Sequence, residues 1–325
     1  MALTFLPAVV AGVCALTLTA PAIAQSAYPS QPIKIVVGSE AGSAPDVLAR
    51  TIGKEMEPLV KQTILVENRA GAAGTVGAAA VAQAQADGYT LLMGTVSNIA
   101  LAPSFYPIRY KPNESFTPIG MVASVPLVLV ASTNLGAADL AQLRAKLRAS
   151  QTEFAYSSPG IGGPQHLAGV LLERELATKL LHVPYKSGGA ALTAVASGET
   201  QLAFAGIPAA GPLLQTRRLV PMFVTAARRS PALPNVPSAT EVGLPSFDVD
   251  NWHALFAPAG LPPDIRSTLE KALRSALHSP AVKTQFEKLG AEPRASSGAE
   301  LAAHVAGETQ RWAALAKSSG AGQGK

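Results

Sequence analysis

Residues 154–172 hold the pattern that most restricts how this chain can fold: Phe154-Ala155-Tyr156-Ser157-Ser158, then Pro159-Gly160-Ile161-Gly162-Gly163-Pro164-Gln165, then His166-Leu167-Ala168-Gly169-Val170-Leu171-Leu172. A short apolar, aromatic run gives way to small hydroxyl and glycine residues and then to a helical spacing. The order is strand, tight turn, helix N-terminus. Glycines admit positive φ and let a ligand approach the backbone closely. The first helical turn leaves its N–H groups unpaired at the partly positive end of the helix. Together these features make a small anion seat that needs no charged side chain. A plain strand-to-helix turn uses the same residue types, so the stretch alone leaves both readings open.

The same unit recurs along the chain. Ile33-Lys34-Ile35-Val36-Val37 reads as a strand buried on both faces. Residues 38–45 break it, and Asp46 is placed to cap a helix whose apolar side carries Val47, Leu48, Ile52, Met56 and Leu59. A strand at 63–66, an alanine-rich helix running to about Ala86, an Asp87-Gly88 turn and a strand at 89–93 complete a βαβαβ series. Such a series implies right-handed crossovers and a parallel sheet. Residues 118–131 form a long extended passage able to carry the chain into a second lobe. There a helix at 138–148, the 154–172 unit and strands at 181–184, 201–204 and 219–224 make a second series. A proline-rich connection at 231–245 leads to a return strand at 252–257. Three helices follow: one capped by Asp264 and ending at Leu277, one at 280–290 and one at 299–317. The expectation is an α/β fold of two lobes, 28–123 plus 249–317 and 124–248, each a mainly parallel sheet flanked by helices. Residues 318–325 have the composition of a disordered tail. Ligands of open α/β sheets sit at the carboxyl ends of the strands. The loops gathered there, 38–45, 94–98, 157–165, 185–189 and 205–209, are mostly rich in small polar residues and poor in charge.

Residues 1–24 carry no charged side chain and end in Ala22-Ile23-Ala24, a cleavage pattern ahead of Gln25. They read as a secretory signal peptide, too short and too interrupted by Gly12 and Pro21 for a membrane anchor. The single cysteine, Cys14, lies inside that segment, and Val13 before it argues against a lipid anchor. A chain processed there has no disulfide, thiolate metal site or cysteine nucleophile. Its expected location is the periplasm. The net charge of +5 comes from scattered Lys and Arg, without a basic stripe interleaved with aromatics, which excludes nucleic acid as a partner.

No nucleophile elbow, phosphate-binding loop or HExxH is present, and Gly160-Ile161-Gly162-Gly163-Pro164-Gln165 fails the dinucleotide fingerprint at its last position. The five histidines do not cluster in sequence, so neither a metal nor a cofactor is expected. Ser158 and His166 could be nucleophile and base of a secreted hydrolase. The better reading makes Ser158 a hydroxyl ligand and His166 an uncharged donor in the first helical turn. Tyr185 is a candidate ligand contact, with Lys186 beside it as a weaker one.

Several motifs, in this order and spacing, carry a family resemblance: Tyr28-Pro29-Ser30-Gln31-Pro32-Ile33-Lys34, Val66-Glu67-Asn68-Arg69-Ala70-Gly71-Ala72-Ala73-Gly74, Asp87-Gly88-Tyr89-Thr90-Leu91-Leu92, His182-Val183-Pro184-Tyr185-Lys186, Arg229-Ser230-Pro231-Ala232-Leu233-Pro234 and Ala257-Pro258-Ala259-Gly260. Across residues 28–316 the chain resembles the solute-binding proteins of tripartite tricarboxylate transporters, the Bug family. The resemblance implies a type II periplasmic-binding-protein-like clamp, monomeric, closing on a small organic carboxylate and serving membrane permease subunits. It implies ligand contacts from Gly42, Ser43 and Ala44, from Thr95, Ser97 and Asn98, and from Ser158, Gly160, Gly162, Gly163 and His166. Gly206 joins them from the second lobe. The first loop departs from the family's usual Pro-Phe-x-Pro-Gly-Gly, with Glu40 adding a negative charge and Ser43 replacing a glycine. Ile99, Ala102 and the Ala205-Gly206-Ile207-Pro208 run stand where polar anchors are usual. A sensor that presents the same ligand to a membrane receptor fits these features equally.

Overall fold

The computed structural model describes residues 28–319. The proposed signal segment with Cys14 and the last six residues, 320–325, lie outside the described residues. Among the described residues eleven strands and ten α-helices follow in chain order: β1 (Ile33–Val37), α1 (Ala44–Val60), β2 (Ile64–Asn68), α2 (Thr75–Ala82), β3 (Thr90–Thr95), α3 (Ala102–Phe105), β4 (Phe116–Ser124), β5 (Leu127–Ser132), α4 (Leu140–Ala149), β6 (Phe154–Ser158), α5 (Pro164–Leu176), β7 (Leu180–Pro184), α6 (Gly188–Ser197), β8 (Leu202–Gly206), α7 (Ile207–Gln215), β9 (Leu219–Val224), β10 (His253–Pro258), α8 (Pro263–Leu277), α9 (Pro280–Lys288), β11 (Glu292–Pro293) and α10 (Gly298–Ser319).

They assemble into two sheets, ordered β11-β4-β10-β3-β1-β2 and β7-β6-β8-β5-β9. β1 runs parallel to β2 and β3, and β6 runs parallel to β7 and β8, as the β–α units require. The strands at the crossings run the other way. β10 is antiparallel to β3 and β4, and β5 is antiparallel to β8 and β9. Each sheet is therefore mixed rather than mainly parallel. The reason is connectivity: β5 and β10 enter their sheets from the other half, without a crossover helix, so nothing aligns them with their neighbours.

Val125 and Pro126 are the only residues between β4 and β5, and the return passage lies against them. Asp250 accepts hydrogen bonds from the Ser124 hydroxyl and the Val125 amide, both at 2.7 Å. Thr225 donates to the Val249 carbonyl at 2.6 Å and accepts from the Leu127 amide at 2.9 Å. The 118–131 passage is thus two strands stapled at their junction. Burial drives the Asp250 carboxyl up to about 6, against the pull of those donors and of Arg294.

Local signals are refined in four places. Ser43, not Asp46, is the N-cap of α1, and Asp46 stands in its first turn. Pro262 caps α8, with Asp264 in the first turn, where its charge suits the helix dipole. On α1 the buried stripe is Leu48, Ile52, Met56 and Val60, while Leu59 is 45% exposed. Steps of four keep one face inward, and Leu59 falls off that face. Ser318 and Ser319, assigned to a disordered tail, continue α10, where Trp312 is fully buried and Glu308 accepts from its indole at 2.8 Å.

One apolar cluster joins the two halves. It includes Leu92 and Phe256 of the first sheet, Leu129 and Tyr156 of the second, and Trp312 of α10.

Candidate functional site

The carboxyl ends of β1, β2 and β3 face one cavity of about 410 Å³. Its walls are Gly38, Ser39, Glu40 and Pro45 after β1, Ala70 to Gly74 after β2, and Thr95, Ser97 and Asn98 after β3. Asn251 and His253, arriving on the return passage, complete it. None of these residues is Lys or Arg.

Residues 71–74 take φ of +135°, +45°, +55° and +87° in succession. Glycine tolerates this. Ala72 and Ala73 do not, and left-handed backbone costs an L-residue roughly 1–2 kcal/mol. Strain of this kind persists where surrounding packing enforces it and clusters at functional sites. Gly74 donates to the Gly71 carbonyl at 2.9 Å and Thr75 closes the turn onto Ala72. Ala72 and Ala73 line the cavity, and neither of their amides takes part in the bonds that close the turn. Packing holds the turn in place: a Cβ on Gly38 would lie 2.7 Å from both Cα and the carbonyl oxygen of Gly74. Gly38→Ala is expected to push the two loops apart and weaken ligand binding at least about tenfold, because backbone cannot swing aside as a side chain can. Equal affinity of this variant and the parent in a titration would refute the close-packed wall.

After β3 the chain enters a π-helical turn, Val96–Leu101, a rare form common at functional positions. The Thr95 amide donates to Asn98 Oδ1 at 2.8 Å, and the Asn98 amide donates back to Thr95 Oγ1 at 3.3 Å. Asn98 Nδ2 reaches the Gly74 carbonyl at 3.5 Å, and Tyr110 donates to the Asn98 carbonyl. Asn98 is thereby a buried brace between two loops. Ser97 lines the cavity with a hydroxyl that has no partner among the described residues.

Gly42, Ser43 and Ala44 stand at the start of α1, beside the cavity but not on its wall. The Gly42 amide donates to Asp46 Oδ2 at 2.9 Å, and the Ser43 hydroxyl donates to the Glu40 carbonyl at 2.6 Å. Burial opposes the Asp46 charge, yet bonds from Arg50, Gly42 and Asn68 hold its carboxyl below the usual range. The Asp46 carboxylate thus sits at this helix end, where its charge suits the dipole.

In the second half, the Ser158–His166 loop abuts α3 of the first. A Cβ on Gly162 would lie 2.9 Å from the Phe105 ring, and Phe105 meets His166 edge-on at 6.4 Å. Gly160 and Gly206 face open space, while a Cβ on Gly163 would lie 3.6 Å from Oε1 of Gln165. His166 is buried, and its Nδ1 accepts from the Gly162 amide at 3.1 Å rather than donating. Ser158 is paired with His182, at 2.7 Å to Nε2, and not with His166. Ser158 also donates to the Gly160 carbonyl at 2.8 Å and accepts from the Gly160 amide at 3.2 Å, which holds the hydroxyl within its own loop. This is a braced loop and not a nucleophile with its base. The rings of Tyr156, His182 and His166 stack, with His166 and His182 only 4.1 Å apart. Tyr185 turns away to donate to Glu199 at 2.8 Å. Among the described residues no three His, Cys, Asp or Glu side chains are gathered to hold a metal.

The structure adds the 70–74 turn, Ser39, Asn251 and His253 to the residues expected from sequence. The turn had a signal in Gly71-Ala72-Ala73-Gly74, two glycines flanking alanines directly after a strand. His253 had none, since it reaches the cavity only by the return crossing.

Compared with known proteins, the chain matches the family described as tripartite tricarboxylate transporter family receptor over residues 48–321. It is 33% identical to protein BugT of Bordetella pertussis over 323 residues, 99% of each chain. Among solved structures it resembles MatC of Rhodopseudomonas palustris with bound malate, at 32% identity and TM-score 0.73 over 89% of this chain and 99% of that one. It also resembles an R. palustris protein solved with adipate, at 30% identity and TM-score 0.75 over 90% and 98%.

Proposed function

The chain belongs to the tripartite tricarboxylate transporter receptor family, and we propose that it is a periplasmic protein that captures a small organic carboxylate between two hinged lobes, 28–123 plus 249–317 and 124–248, and delivers it to membrane permease subunits. It is a solute-binding receptor and not an enzyme. Among the described residues no helix is long and apolar enough to cross a membrane.

One observation carries the reading: a cavity at the carboxyl ends of three parallel strands whose donors are backbone amides and hydroxyls, with no cation in its wall. The Ala72 and Ala73 amides and the Ser97 hydroxyl receive the carboxylate. The glycine loop at 158–163, with Gly206, supplies the opposing wall when the lobes close, and that closure is a hinge motion at 124–126 and 249–251 driven by contacts only the closed state makes. The malate and adipate in related structures support a carboxylate of this size.

Calorimetry with di-, tri-, aromatic and amino acid carboxylates is expected to give at least one micromolar binder. Ser97→Ala should weaken that binder about tenfold, the worth of one hydrogen bond to a charged group, at unchanged thermal stability. Silence across the panel would end the proposal.

A further inference from the structure

The loop after β1 carries a charge that carboxylate capture by itself does not call for. Glu40 is exposed and lines the cavity. Among the described residues it is the one acid of that wall, and no Lys or Arg joins it there. Burial drives the His253 ring down to about 4, so that ring is neutral. The Glu40 carbonyl accepts from the Ser43 hydroxyl at 2.6 Å and from the Ser43 amide at 3.2 Å, which fixes the backbone that bears the side chain. The Glu40 carboxylate itself has no hydrogen bond or ion pair among the described residues. Cations of the neighbouring segments are committed elsewhere: Arg50 lies 3.0 Å from Asp46, and Lys34 and Arg69 both pair with Glu67.

The sheet order places this charge. β1 lies between β3 and β2, so the loop bearing Glu40 stands between the 70–74 turn and the 95–98 turn. Neighbouring strands are about 5 Å apart, so an acid held by the Ala72 and Ala73 amides and the Ser97 hydroxyl lies across the Glu40 loop. An unpaired carboxylate beside an anion seat repels the ligand that the seat attracts. Water screens that repulsion in an open cleft and no longer does so once the opposing glycine loop closes over it. Two anions enclosed without a cation are the costly case. A ligand with its own positive charge next to its carboxylate turns the repulsion into attraction.

We propose that Glu40 is the specificity-determining residue of the pocket, selecting zwitterionic acids, with an ammonium group beside the carboxylate, over plain carboxylic acids. This rests on the carboxylate-receptor reading and names its ligand class. The neutral donors of the wall take the carboxylate, and Glu40 takes the ammonium in a charge-assisted hydrogen bond. A hydroxyl in place of the ammonium supplies a donor without the charge and gains only part of the preference.

The test uses acids that share a skeleton and differ at one position: aspartate, malate and succinate; glutamate, 2-hydroxyglutarate and glutarate; alanine, lactate and propionate; phenylalanine, phenyllactate and phenylpropionate. Calorimetry at neutral pH is expected to show the ammonium-bearing member of the recognised set bound at least about tenfold tighter than the unsubstituted acid, with the hydroxy acid between them. Glu40→Gln keeps the size of an exposed side chain that has no partner and removes its charge. It is expected to leave the melting temperature unchanged and to bring the ammonium-bearing and plain acids within about threefold of each other. In the parent protein, raising the pH through the ligand's own ammonium titration should erase the preference without any substitution. A ratio that survives either change, or no preference in the parent protein, overturns the inference and leaves carboxylate capture standing. Silence from every acid overturns both.

Discussion

Gly169→Ala is expected to destabilise the protein by at least about 3 kcal/mol, although alanine is the better helix former by roughly 1 kcal/mol. Gly169 lies in the middle of α5, where it meets β6. A Cβ there would fall 2.0 Å from Cε2 of Tyr156 and 2.3 Å from Cζ. The ring has nowhere to retreat. It is 1% exposed, its hydroxyl donates to the His166 carbonyl at 3.2 Å, and His182 stacks on it with ring centroids 4.9 Å apart. The methyl group therefore displaces either the ring or the helix, and both support the glycine loop. Denaturant unfolding of the variant measures the loss. In the double variant with Tyr156→Ala the two costs should be far from additive, because removing the ring frees the space the methyl needs. A single variant within about 1 kcal/mol of the parent would show that helix and strand are not packed this closely.

Acidification is expected to produce the second large effect. Burial holds His166, His182 and His253 near 4, and for His166 the neighbouring His182 adds to it. Their unfolded value is about 6.5. Between these values the unfolded chain binds more protons than the folded one, so stability rises with pH through the window and is lost as pH falls from about 6.5 toward 4. Asp250 opposes this. Its folded value, raised to about 6, makes the folded state the better proton binder down to the ordinary Asp range. Burial also pushes His304 down and Glu173 up, one on each side of the balance, so four imidazoles against two carboxyls leave a net loss on the order of a few kcal/mol by pH 4. The damage should begin at the second half's loop. Protonated His166 cannot accept from Gly162, and two cations 4.1 Å apart repel. Melting temperatures from pH 7 to pH 4 measure the slope, and His166→Gln with His182→Gln should flatten it. A melting temperature constant over that range would contradict neutral, buried rings.

Much of the fold is legible in the residues themselves. The β–α units at 33–95 and 154–206 announce themselves by apolar runs that stop at glycine and restart at helical spacing, because a strand buried on both faces must be apolar throughout. The two extended passages, 118–131 and 252–257, mark the crossings for the same reason. Local chemistry also places Thr95, Ser97 and Asn98 on the loop after β3, where the cavity forms.

Sequence alone placed the 38–45 and 94–98 loops at strand ends, because strand direction and chain order are local properties that short-range spacing records, while the 70–74 turn and the return passage joined them only in the structure. Tertiary structure decided which groups on those loops remain available. Gly42 and Ser43 have the right chemistry, but Asp46 and the Glu40 carbonyl already take their hydrogen bonds; Ser158 has its partner in His182 from the neighbouring strand β7. His253 enters the cavity only because β10 returns antiparallel beside β3, bringing together residues 158 positions apart in the chain. A hydrogen bond depends on distances of a few tenths of an ångström between such strangers, and no local pattern of residues encodes that.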